Sequence, residues 1–403
     1  MLNMRIDCRF LLAVVMTVCM CCSCQQNMPT QTEGLEAENA ALSEEEQRKI
    51  AQEQEIQTRL EAMTLEEKVA QMFLLCPESI IDADAVTAAD ERTLTSIQSY
   101  PVSGFIYQAQ YLRNADQTQH MIEAVQQYSM ECTGLPAFIA IDEEGGTVTR
   151  ISGTGKFDVP YVGDMCDIGA SGDTGAAYDT GVIVGRYLAE LGFNVDFAPV
   201  ADVLSNDENT VVKARSFGAE PQLVTDMCLA FSEGLESQGV LSTFKHFPGH
   251  GATAADTHKG YAYTDKTLEE LRACELVPFQ AGIDAGIDFI MVSHISLPNI
   301  IGEDTPASLS EVMLTRTLRE EMGYDGIIIT DAMGMGAVAQ YYSSVEATLL
   351  AIQAGCDIIL APGDFYASYH GVIDAIREGT ISEDRVNDSV QRIIRVKLEL
   401  LDG

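Results

Sequence analysis

The sequence predicts an α/β protein built as a (β/α)8 barrel in one folded domain, on three observations. From about residue 66, eight short apolar runs alternate with longer amphipathic stretches. Each run is flanked by Gly, Pro or a polar turn, as parallel strands buried on both faces are. No glycine-rich dinucleotide loop follows the first run, which counts against a doubly wound sheet, the alternative architecture.

The chain opens on an export-type segment. Arg5 and Arg9 make a modest basic start, and the apolar run from Phe10 to Met20 is too short to span a bilayer as a helix. Five of the eleven cysteines crowd into positions 8–24, ending in Cys21-Cys22-Ser23-Cys24 before a polar Gln-Gln-Asn. Residues 1–24 therefore read as a lipoprotein-type signal with Cys24 as the lipidated residue, Cys22 a weaker candidate and a plain cleaved signal the alternative. Residues 25–57 are rich in Gln, Glu and Ala and hold no aromatic residue, the composition of a polar tether that turns helical near Ile50. An exported protein is expected, lipid-anchored on the outer side of the membrane, or secreted if the signal is only cleaved.

The folded domain is expected over 58–403. Its strands are expected within 71–75, 104–108, 137–142, 193–200, 241–247, 289–294, 326–331 and 357–362. Helical spacing marks Leu60, Met63 and Val69, then 174–191, 222–238, 267–286, 309–322, 344–354 and 382–400. The last helix stops a few residues before Gly403, so no second domain is expected after it, and a monomer is expected. The six remaining cysteines, Cys76, Cys132, Cys166, Cys228, Cys274 and Cys356, lie far apart in mostly apolar surroundings and read as buried free thiols. None has metal-ligand spacing, and no metal or cofactor is expected.

Charge excludes whole classes of function. Lys and Arg number 24 against 61 Asp and Glu, a formal charge of −37. A nucleic-acid binder needs a basic footprint to displace phosphate counterions, and attraction to anionic lipid headgroups needs the same sign. Membrane contact is expected through the N-terminal lipid alone.

In a barrel of this kind the site forms at the C-terminal ends of the strands. Those ends carry Asp142, Asp196 and Asp202, Lys245 and His246, Ser293 and His294, and Thr330 and Asp331. Three of the six histidines, His246, His250 and His258, fall in one loop. Carboxylates with Lys, Arg and His suit a polyhydroxylated substrate: carboxylates accept from sugar hydroxyls, and cations donate to them. Glycoside hydrolysis needs one group to capture an oxocarbenium-like centre and another to protonate the leaving oxygen. Asp331 suits the first task at a strand tip, with Ala332 and Gly334 leaving room for a ring. Asp256 and His258 lie two apart, so the carboxylate can orient and charge the imidazole for the second. Plainer roles compete. Asp331 can cap the following helix, His258 can be merely solvated, and Lys245 with His246 can be a structural pair. Glu143 and Glu144 read as supporting or capping groups, His250 as a turn former, Asp196 and Asp202 as structural, and the Met-rich DAMGMGAV as packing beneath the sugar. His294 is balanced between substrate contact and core hydrogen bonding.

KHFPGHG followed by Asp256-Thr257-His258, together with IDEEGG, ARSF at 214–217 and TDAMGM, resembles glycoside hydrolase family 3. In particular it is similar to the NagZ-type β-N-acetylglucosaminidases (β-hexosaminidases), over about residues 57–400. The resemblance implies a retaining, metal-independent exo-hydrolase releasing β-linked N-acetylglucosamine from peptidoglycan fragments or chitooligosaccharides. It implies Asp331 as nucleophile, His258 as acid/base with Asp256 as its partner, and Asp142, Arg150, Arg215, Lys245 and His246 as sugar-binding residues. Two departures stand out: the family's GGRVQR is GGTVTR here, placing Thr147 where an Arg is common, and its DSH is DTH. The alternatives are a family 3 β-glucosidase, a phosphorylase using phosphate in place of water, and a non-catalytic lipid-anchored muropeptide-binding protein.

Overall fold

The computed structural model describes residues 43–81, 85–254, 256–257 and 262–402. Cys24 with the export-type segment, and His258, lie outside the described residues. The chain divides into residues 1–51 and 52–403. Of the first unit only the stretch from Ser43 is described, where the helix Glu44–Ala62 begins. Within the second unit, Ile56 and Leu60 are buried in the main apolar cluster, so Ile56 packs although it falls in the span read as a tether.

Eight of the ten described strands carry the domain: β1 (Phe73–Leu75), β2 (Gly104–Ile106), β3 (Phe138–Ile141), β4 (Val195–Asp196), β5 (Thr243–Phe247), β6 (Phe289–Val292), β7 (Ile327–Thr330) and β8 (Ile359–Leu360). Each falls inside one predicted run. Parallel ladders join β8, β1, β2, β3 and β4 in one sheet and β5, β6 and β7 in another. Parallel bridges Val195–Leu241 and Val200–Lys245 link the β4 and β5 segments, and Ile329–Ile358 links β7 to β8, so neighbours follow one another round a ring.

The period of two along each strand sorts the core into two shells. Leu74, Ile106, Phe138, Ala140, Met291 and Ile329 belong to an inner cluster, in which Phe138 and Phe289 meet edge to face at 5.2 Å. Their strand neighbours Phe73, Phe105, Ile139, Ile290 and Ile328 belong to the outer cluster with the helices. Predicted helices appear as Thr174–Leu191, Pro221–Glu236, Leu268–Ala273 with Leu276–Ala285, Ser344–Ala354 and Glu383–Asp402. The stretch Val312–Glu321 winds as a π-helix. Glu91–Ser99, Ala115–Thr133 and Phe365–Arg377 had no separate prediction. In Ala115–Thr133 the buried face is only Thr118, Met121, Ile122, Val125 and Ser129, two of them hydroxyl residues, which blurs the apolar period. Of the six described cysteines, all free, only Cys228 and Cys356 are buried; the other four are half-buried.

The C-terminal helix Glu383–Asp402 adds Ile393 and Val396 to the inner cluster. Next to them Lys397 is fully buried, with Nζ donating to Gln71 Oε1 at 2.9 Å and lying 5.1 Å from the Phe138 ring centre. Burial without a carboxylate partner pushes this amine down to about 7. An unfolded lysine titrates near 10.4, so between about 7 and 10.4 the folded chain binds fewer protons than the unfolded one, and this site's contribution to stability rises with pH across that window. Lys397→Met removes the titration. Its melting temperature relative to the parent should therefore climb as pH falls from about 10 to about 7 and stay level below that; a difference that does not change with pH contradicts a depressed lysine.

Candidate active site

The alternation that builds the inner shell also builds the site. Two positions beyond inward-facing Ile106, Ala140 and Ile329, the strands deliver Gln108, Asp142 and Asp331 to a cavity of about 320 Å³. β5 contributes two consecutive residues, Lys245 and His246, because its register against β6 shifts between Lys245 and Phe247. Arg150, Glu144, Arg215, His250 and Thr257 complete the polar wall, with Met291 and Met335 on the apolar side.

Charge compensation holds the polar wall. Lys245 Nζ lies 3.0 Å from Asp142 Oδ1 and 2.5 Å from Glu144 Oε1. Glu144 also takes a bidentate pair from Arg215, Nε at 2.7 Å and Nη2 at 2.8 Å. Burial works against the Glu144 charge, but Arg215 and Lys245 outweigh it and hold its carboxyl below the usual range. Burial likewise opposes the Lys245 and Arg215 charges, and Glu144 with Asp142 overcomes it, keeping both cations protonated.

Arg150 is held as a fork: Nε donates to Gln108 Oε1 at 2.7 Å and Nη2 to Asp142 Oδ2 at 3.4 Å. The β3 loop that carries it is folded over Glu143, which accepts the backbone N–H groups of Arg150, Ile151 and Ser152 at 2.5, 2.9 and 2.9 Å and the Tyr187 hydroxyl at 2.9 Å. A tight hairpin turn makes this possible, with Gly145 and Gly146 at φ of 95° and 55° and Glu144 N–H donating to Val148 O at 3.0 Å. Thr147, where the family commonly has Arg, is exposed at the tip of that turn and does not line the cavity.

Asp202, buried in the loop after β4, orients His246: its Oδ2 accepts from Nδ1 at 2.7 Å, which leaves Nε2 toward Arg215 Nη2 at 3.3 Å. Burial would raise the Asp202 carboxyl, but His246 keeps it low. Asp196 differs. Burial pushes its carboxyl well above the usual range; Oδ1 accepts from Glu143 N–H at 2.9 Å, and Oδ2 has no hydrogen-bond partner among the described residues.

Asp331 is half-buried at the end of β7, and Ala332 N–H donates to its Oδ1 at 2.7 Å. Burial opposes its ionisation, yet His246 and His294 nearby, with that N–H, hold the carboxyl below the usual value. Buried His294 donates from Nε2 to Ala332 O at 3.1 Å and pairs through Nδ1 with Ser308 at 2.7 Å, which fixes the residue beside Asp331. The arrangement offers an ionised carboxylate facing fixed cations and acceptors across a cavity the size of a sugar ring.

Of the eight residues expected here, Asp331, Asp142, Arg150, Arg215, Lys245 and His246 line the one cavity. Asp256 is half-buried beside Thr257, which lines it too; His258 lies outside the described residues. Sequence reasoning passed over Gln108 and gave Glu144, Asp202 and His250 lesser roles, although the strand period places Gln108 in line with Asp142 and Asp331.

The pattern of the Glycosyl hydrolase family 3 N terminal domain matches residues 64–396. Beta-hexosaminidase A of Pseudoalteromonas piscicida is 34% identical over 340 residues, covering 78% of this chain and 56% of that protein. The Beta-hexosaminidase of Idiomarina loihiensis is 32% identical over 319 residues, 78% of this chain and 92% of its own length. Among solved structures, a glycoside hydrolase family 3 beta-N-acetylglucosaminidase from Paenibacillus sp. str. FPU-7 superposes with a TM-score of 0.79 at 33% identity, covering 85% of this chain and 64% of that one. The chain thus spans little more than half of the Pseudoalteromonas protein and under two thirds of the Paenibacillus chain. With this match over most of its length and the strand-end carboxylates it organises, the chain belongs to glycosyl hydrolase family 3.

Proposed function

We propose that the protein is a retaining exo-β-N-acetylglucosaminidase acting on peptidoglycan fragments or chitooligosaccharides. The observation that carries this reading is the ionised Asp331 carboxylate in one cavity with Asp142, Arg150, Arg215, Lys245 and His246. The names of the relatives, beta-hexosaminidase and beta-N-acetylglucosaminidase, support the choice of sugar.

Asp142 accepts from sugar hydroxyls, and Lys245, Arg150 and Arg215 donate to them. Since Asp142 and Glu144 already fix these cations, ordering them for the sugar adds little entropic cost. Asp331 Oδ attacks the anomeric carbon while His258, oriented by Asp256, gives its proton to the glycosidic oxygen, and the bond to the aglycone breaks. Water then attacks the glycosyl ester, giving its proton to His258 and releasing the sugar and the Asp331 carboxylate.

Residues 1–24 are read in the same proposal as the export signal that leaves the enzyme lipid-anchored through Cys24 on the outer face of the membrane. Among the described residues no helix is long and apolar enough to cross one. Cys24→Ser should move the protein from the membrane fraction to the soluble fraction; unchanged membrane recovery removes the anchor from the account.

Activity tests the rest. Aryl N-acetyl-β-glucosaminide should be turned over in preference to aryl β-glucoside, with no gain from phosphate; turnover of the glucoside alone contradicts the reading. Asp331→Asn should lower kcat on the order of 10⁴-fold, because an amide does not form the ester. His258→Ala should cost about 10²- to 10⁴-fold on chitobiose and far less on a 2,4-dinitrophenyl glycoside, whose leaving group needs no proton. Equal losses on both argue against His258 as the acid.

A further inference from the structure

The loop after β5 is fixed firmly at its root. Asp202 Oδ1 accepts His250 N–H at 2.6 Å, Asn209 Nδ2 donates to His250 O at 2.8 Å, and Asn206 N–H donates to Gly251 O at 3.1 Å. A Cβ at Gly251 would lie 2.0 Å from Val203 O, so the backbone there rests directly on the β4 loop. Farther along, the chain returns to the cavity at Thr257, which is 1% exposed and lies between Asp256 and His258.

Thr257 makes two contacts that point in different directions. Its Oγ1 is 3.4 Å from His250 Nε2, back toward the root of its own loop. Its carbonyl accepts from Ala337 N–H at 3.0 Å, across to the loop after β7 that begins at Asp331. Ala337 belongs to the short helix Gly336–Ala339, and Met335 beside it lines the cavity.

The side-chain contact has a definite polarity. Burial pushes the His250 imidazole down to about 4, so near neutral pH the ring carries one proton. Thr253 Oγ1 donates to His250 O at 3.0 Å and is left to accept from His250 Nδ1–H at 3.3 Å. Nε2 then has only a lone pair to offer, and the Thr257 hydroxyl is its donor.

We propose that Thr257 is a positioning residue that latches the acid-bearing loop to the nucleophile's loop, with the His250 ring as the seat of its side chain. The proposal rests on the reading of His258 as acid and Asp331 as nucleophile given above. A hydroxyl at this position holds Thr257, next to Asp256, against its seat beside the loop that begins at Asp331; without it the proton is delivered from a scattered set of positions.

The test compares chitobiose with a 2,4-dinitrophenyl N-acetyl-β-glucosaminide. Thr257→Val keeps the branched shape and removes the hydroxyl. It should lower kcat on chitobiose about 10-fold or more while changing the activated substrate less than about 3-fold. Thr257→Ser should restore the parent ratio, and Thr257→Ala should match Val if the hydroxyl rather than the volume matters. Melting curves of all three check the fold, and the Ser–Ala pair decides the matter if Val melts early. Equal losses on both substrates, or Ser failing to restore the ratio, overturn the latch. His258→Ala run alongside separates the two ideas: if it discriminates between the substrates and the Thr257 variants do not, only the latch fails; if neither discriminates, the acid assignment falls and the latch with it.

Discussion

Lys245 is buried in the middle of β5, and its charge persists there because Asp142 and Glu144 stand 3.0 and 2.5 Å from Nζ. An ammonium in such a place without carboxylates would give up its proton or disrupt the barrel mouth. Glu144 can serve it only because the Gly145–Gly146 turn folds the β3 loop back over Glu143, and Glu144 is itself neutralised by the Arg215 fork. Arg215 in turn faces His246, whose other nitrogen is fixed by Asp202. Removing one member strands the next as an unpaired buried charge, so the cluster stands or falls together and reaches from β3 through the β4 loop to β5.

The cluster also sets the electrostatics of Asp331, the proposed nucleophile. A half-buried carboxylate ordinarily titrates high; Asp331 is held low by His246 and His294 despite its burial. Asp196, fully buried, close to Glu143 and with no cation bonded to it among the described residues, goes the opposite way. Two strand-end aspartates are thus shifted in opposite directions, Asp196 upward by its burial and Asp331 downward by the histidines beside it.

Much of this was legible in the sequence, for physical reasons. Parallel strands buried on both faces leave continuous apolar runs, and all eight were visible as such. The period of two made Asp142 and Asp331 readable as mouth residues, since each stands two places beyond an inward apolar side chain. What stayed hidden depends on contacts across the chain. The pairing of Glu144 with Arg215, 71 residues apart, has no local signature. The β5 register shift that presents both Lys245 and His246 is set by β6. His250 looked like a turn former beside Pro248-Gly249, and only the fold brings its ring to Thr257.

The same geometry divides the proposed chemistry between a rigid strand end and a loop. A carboxylate fixed by the barrel is suited to forming a covalent bond at one point, whereas an acid on a loop can give up a proton to departing aglycones of different shape. In the proposed mechanism Asp331 captures the sugar covalently before water does. Proton NMR of the product in the first minutes of hydrolysis tests it most directly. Two displacements at one carbon should release β-N-acetylglucosamine first, with the α anomer appearing only as it mutarotates; an α-first product would mean that water attacks directly and Asp331 has another role.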